Sequence, residues 1–144
     1  MARTFETLRD KIVVNLQTIT DIQEVNTSPT LEFDAYPSVA VYPTTQESDY
    51  ETTTQNERIY SFMVSVFHET KTTSKGDALI AMYDVVDQVL DNFDKDPTLT
   101  GISLPTGKQI IDIVPTTSEW GQVEDRELLE IDVVLGVRIS VSIV

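Results

Sequence analysis

Residues 129–143 alternate between apolar and polar positions with a single break. Leu129, Ile131, Val133, Leu135, Val137, Ile139, Val141 and Ile143 fall on one side of a period of two. Glu130, Asp132, Gly136, Arg138, Ser140 and Ser142 fall on the other, and Val134 is the break. Such a pattern is a β-strand with one buried face and one wet face. At about 3.3 Å per residue the strand would run roughly 50 Å, where about five or six residues are usual. A strand of that reach outgrows the core of a 144-residue chain. Its ends are therefore expected to serve a contact outside the subunit, by offering backbone edge groups to a neighbour. Val137, Ile139, Val141 and Ile143 are the interface candidates that this strand supplies.

The length suits one domain, residues 1–144, with a real hydrophobic core. Hydrophobic residues make up 40% and charged residues 24%, which argues against wholesale disorder. The absence of cysteine removes disulfides, thiolate catalysis and zinc–thiolate sites. Arg3, Glu6, Arg9 and Asp10 interrupt any leader-like apolar run, and no stretch of apolar residues is long enough for a membrane span.

The formal net charge is −14 and the isoelectric point is near 4.2. Phosphate contacts need clustered Lys and Arg, so DNA, RNA and anionic membrane are disfavoured as gripped partners. The acidity reads either as solubility, including life in high salt, or as a surface that sits beside DNA without holding it.

Phe5, Leu8, Ile12, Val13, Leu16 and Ile19 recur at helical spacing, which predicts an amphipathic helix over residues 4–19. A short strand is expected around residues 22–25 and another over residues 36–42, bounded by Pro37 and Pro43. Residues 44–56 form a polar tract without apolar period, read as a loop or an extended hairpin arm with Tyr50 as its anchor. Residues 59–67 are apolar on both sides and predict a central strand covered on both faces. Ser74 with Asp77 caps a second helix, whose buried stripe is Leu79, Met82, Val86, Val89, Leu90 and Phe93. Asp77, Asp84, Asp87 and Asp91 lie opposite that stripe as an acidic face. A further strand follows over residues 109–115, with Ile111 and Ile113 buried and Ile110 and Val114 as further candidates for burial, and then Trp120 and Gly121 in a turn. The fold class is α+β: a mainly antiparallel sheet with two helices packed on it.

The polar residues assemble no catalytic, cofactor or metal motif. The lone His68 has no nucleophile motif beside it and is expected at the surface, at a strand end. Asp91, Asp94 and Asp96 lack the glycine and glutamate of a calcium loop. The five glycines never form a phosphate-binding loop. Glu119, Glu124, Asp125 and Glu127 have no pocket-forming context. The chain is read as not an enzyme and as needing no cofactor.

Several phrases resemble the tail terminator (tail completion) proteins of tailed bacteriophages. Phe33-Asp34-Ala35-Tyr36-Pro37-Ser38-Val39-Ala40-Val41 is similar to that family's first sheet strand, and Tyr60-Ser61-Phe62-Met63-Val64-Ser65-Val66 to its next. Residues 82–90 resemble its second helix, Asp96-Pro97-Thr98-Leu99-Thr100-Gly101 the following turn, and Trp120-Gly121 with the last strand its closing hairpin. The resemblance implies a virion protein assembled in the host cytoplasm. It would form a ring, usually a homo-hexamer, at the tail–neck junction. The ring would cap the tail tube and join it to the head connector while DNA passes without specific binding. Neck or head–tail joining (head completion) proteins share much of the pattern, and an acidic soluble binding module remains the alternative from a different class.

Overall fold

The structure, a computed structural model, describes residues 4–50 and 55–142, with residues 45–50 and 55 described in their backbone alone. The elements run α1 (Thr4–Leu16), β1 (Glu24–Asn26), β2 (Ser38–Tyr50), β3 (Gln55–Glu69), α2 (Lys75–Lys95), β4 (Lys108–Thr117), β5 (Gly121–Gln122) and β6 (Leu128–Ser142). The strands form one sheet in the order β1-β2-β3-β6-β4, with β5 also paired to β6. Every pairing is antiparallel except that of β1 with β2. Two helices on one mostly antiparallel sheet make this a single α+β domain.

Periodicity explains which side each element buries. In β6 the odd positions from Leu129 to Val141 are all buried, and the even ones from Glu130 to Ser140 are half-buried. They meet the even positions of β3: Val133 lies opposite Val64, Leu135 opposite Phe62 and Val137 opposite Tyr60. α1 and α2 cover this face. Leu8, Ile12 and Leu16 recur every fourth residue along α1, while Met82, Val85, Val86, Val89 and Phe93 form the buried stripe of α2. Phe5 meets Tyr60 and Phe62 edge-on at 4.7 and 5.6 Å between ring centres. Ser74 accepts from the Asp77 amide at 3.2 Å and starts α2, a cap worth about 1 kcal/mol.

The central strand β3 is longer than the sequence suggests and is covered by helices on one face alone. Ile59 and Met63 are half-buried on the open face, and Phe67 is buried there in a smaller cluster with Ala40 and Leu128. Leu31, Phe33, Tyr36, Tyr42 and Val123 pack onto that cluster. The polar tract is not a loop at either end: β2 runs on to Tyr50 and β3 starts at Gln55, with Tyr50 paired to Asn56. The ladders of β3 and β6 carry those polar strands outward. The side chain of Tyr50 and residue Ile143 lie outside the described residues.

The long strand does not overrun its sheet. β3 pairs with β6 from Leu128 to Ser142, and on the other side β5 and β4 pair with it from Leu129 to Val141. Its backbone groups face partners within the chain. The sheet's rims are β4 and, beyond Ala40 where β1 ends, the outer side of β2. Each rim is interrupted: β2 by Pro43 and a register shift to Thr45, β4 by a shift between Ile110 and Asp112 and by Pro115. The β4 shift also corrects the expected burial. Ile113 is buried opposite Val137, while Ile111 falls in the shift and is exposed.

Candidate assembly surfaces

Two surfaces carry the residues that the sequence singles out, and a third is assembled by the fold. The first is the outer side of α2. Asp77, Asp84, Asp87 and Asp91 are all exposed there, since the helix turns its apolar stripe to the sheet. The helix contributes lysines at its two ends, Lys75 and Lys95, and none between. The same outer side carries Ile80 (64% exposed) and Tyr83 (41%), which the sequence pattern did not flag. The acidic face is therefore broken by apolar side chains at its N-terminal half. At the helix start, Lys75 holds its ammonium 4.8 Å from the centre of the Trp120 ring. At the other end Asp96 is occupied locally, accepting from the Thr100 amide and hydroxyl at 2.9 and 2.8 Å.

The second surface is the far end of β6. Val137 and Ile139 are fully buried and Val141 nearly so, all inside the core beneath the helices. Their side chains contact the subunit's own interior, because they lie on the face of β6 that α1 and α2 cover. The outward-facing residue at this end is Arg138, which forms a fork with Asp112 on β4 (Nε–Oδ1 2.8 Å, Nη2–Oδ2 3.1 Å) and reaches Glu57 on β3 at 3.4 Å. One guanidinium thus ties three strands across the open face.

The third surface is the opposite end of the open face, which sequence reasoning did not find. The chain between β1 and β2 lays Leu31, Phe33 and Tyr36 over Phe67 and Leu128. Phe33 sits 5.2 Å from Phe67 and 5.9 Å from Tyr36 between ring centres. Beside them a hollow of about 770 Å³ opens against Glu69, Lys71, Asp125, Arg126 and Glu127. A second hollow of about 400 Å³ is lined by Tyr42, Phe67, Glu32 and Glu130, and Leu31 and Arg126 line both. Nothing in the sequence brings residues 31–42, 69–71 and 125–130 together; pairing of β2, β3 and β6 does.

The electrostatics of this end follow from its packing. Glu69 accepts from the Thr72 amide (2.8 Å) and from the hydroxyls of Thr72 and Thr73, and those bonds hold its carboxyl down at about 2. Burial, then Glu24 and Glu69, push the Tyr36 phenol up. Burial also pushes Glu130 up to about 7, helped by a hydrogen bond with Asp132 and by that neighbour's charge. His68, expected at the surface, is buried: its ring stacks on Tyr36 and its Nδ1–H donates to the Glu69 carbonyl at 2.9 Å. Its backbone lies opposite Leu129 in the β3–β6 ladder, and the Tyr36 ring stacked on it keeps its place at the strand end from exposing it. Among the described residues no three His, Cys, Asp or Glu side chains are grouped to hold a metal ion.

The fold has a counterpart in a virion. A chain of the virion of a native gene transfer agent particle matches with a TM-score of 0.56 and 15% identity, covering 92% of this chain and 94% of that chain. At that identity the likeness is one of fold. No protein-family model and no curated protein matches the sequence.

Proposed function

We propose that this chain is a structural subunit of a phage-like virion, assembling as a ring that caps the tail tube and joins it to the head connector. The observation that carries the reading is the fold shared with a virion chain over nearly the whole of both molecules. The tail-terminator resemblance of the sequence points the same way. The shape of the subunit suits it too. Helices cover one face of the sheet and leave the other open, so opposite sides differ, and head-to-tail contacts between unlike sides generate rings where the rotation closes. The hairpin of β2 and β3 carries the polar tract at its closed end and is read as the arm that reaches a neighbour.

In this reading Asp77, Asp84, Asp87 and Asp91 face the passage through which DNA moves. Their charge repels phosphate within about 8 Å at physiological ionic strength, so the duplex passes without being held. Electron microscopy of tail tubes incubated with the purified protein tests the ring: cyclic density at the tube end is expected. Bare tube ends overturn the tail-end role, and density on the head connector alone assigns the protein to the neck. Changing the four aspartates to lysine should leave the fold intact, since all four are exposed. It should slow DNA ejection from particles that carry the variant; unchanged ejection would remove the stripe from the passage.

A further inference from the structure

The trough at the end of the open face fits a partner of definite chemistry. Its two hollows share Leu31 and Arg126 and together span about 770 and 400 Å³. Half-buried aromatic rings wall it: Phe33, Tyr36 and Tyr42, with Phe67 behind them. Around those rings stand the acids Glu32, Glu69, Asp125, Glu127 and Glu130, against the cations Lys71 and Arg126. Rings present a negative face to a cation, and carboxylates at the rim add to that field. We propose that this trough seats an extended basic segment of a partner protein, with arginine or lysine side chains lying over Tyr36 and Tyr42 and ending among Glu32, Glu127 and Glu130.

Three observations select this occupant. Apart from the protonated Glu130, the lining is acidic by four to two, so an acidic or neutral apolar segment would leave the rim charges unmatched. Glu69 is already saturated by Thr72 and Thr73, which leaves its charge in place but directs an incoming guanidinium to the other carboxylates. Glu130 retains a proton near neutrality because it is half-buried beside Asp132. An arriving cation replaces that proton, so binding is coupled to proton release. The inference stands apart from the tail-end reading, because it concerns the isolated subunit and would survive the loss of the ring.

The test uses the full chain, isotopically labelled, titrated with an acetylated peptide alternating arginine with valine and with a control alternating glutamate with valine. Amide shifts at Leu31, Phe33, Tyr36, Arg126 and Glu130 are expected with the arginine peptide and not with the control. The double variant Glu32→Gln/Glu130→Gln should weaken binding at least fivefold and abolish proton release measured by calorimetry in two buffers near pH 7. Tyr42→Leu, which keeps the wall but removes the ring face, should weaken it about threefold. Asp84→Asn/Asp87→Asn should change nothing. The proposal is overturned if the shifts spread over the whole acidic surface, if the double variant binds as the parent does, or if the control binds equally. Shifts of these amides on concentrating the protein alone would assign the trough to a second copy and overturn it as well.

Discussion

Ser65 on β3 donates its hydroxyl to Asp132, directly opposite on β6, at 2.8 Å. Ser65 is buried, so this bond fixes the Asp132 carboxylate on the open face and sets the field in which its neighbour Glu130 titrates. Glu130 is held up at about 7 from an ordinary 4.5 by burial, by its hydrogen bond with Asp132 and by that residue's charge. The folded chain binds a proton there that the unfolded chain has released. The stabilisation is complete below pH 4.5 and disappears as pH rises through about 7. Phe67 from β3 and Gly121 from β5 stand opposite Glu130 in the sheet, and Arg126 lines the hollow that Glu130 borders. Allowing for solvent screening, the loss is about 1–2 kcal/mol. Glu130→Gln, which keeps a donor toward Asp132, should flatten the fall in melting temperature between about pH 4.5 and 7. Parallel slopes for parent and variant would show that another group titrates.

Val137 lies between Tyr60 on β3 and Ile113 on β4 and is fully buried. Val137→Ala should cost about 2 kcal/mol in urea denaturation, the transfer free energy plus the cavity left behind. Unchanged stability with lost assembly would restore this residue to an intersubunit surface.

Ile111 and Ile113 look alike in sequence and should behave oppositely. Ile113→Ala is expected to cost about 2–3 kcal/mol, because Ile113 packs under the helices. Ile111→Ala should fall within about 0.5 kcal/mol of the parent, because the register shift turns Ile111 outward. Equal costs would mean that β4 is paired to β6 in a different register.

Asp49 pairs with Glu57 across the β2–β3 hairpin. Replacing residues 51–55 with Asn-Gly closes the arm at the next pair, Tyr50 with Asn56, and keeps the buried Asn56 in its ladder with Val141. Thermal denaturation of the subunit should change by about 1 kcal/mol or less, while joining to the tail tube should fail. A large loss of stability would place the arm within the folding unit.

The alternation of β6 was legible because every odd position packs against the same helical layer. The stripe and cap of α2 were legible because a single helix face meets the sheet. The polar ends of β2 and β3 were legible only as one of two alternatives, since residues 44–50 carry no apolar period and owe their extended form to ladders with residues 56–61. A register shift such as that at Ile111 has no signature in a single strand; it exists only in the pairing. The expectation that β6 would offer a free edge failed for a related reason. Strand length says nothing about how many partners a strand has, and β3 was itself long enough to match it. The trough was hidden because its walls come from segments separated by up to about a hundred positions.

The interrupted rims of the sheet have a further effect. Pro43 lacks an amide to donate, and both shifts break the even spacing of free backbone groups along β2 and β4. Neither rim can template a long run of strands from other molecules. An isolated copy is therefore expected to resist edge-to-edge fibre growth, although both rims of its sheet are long.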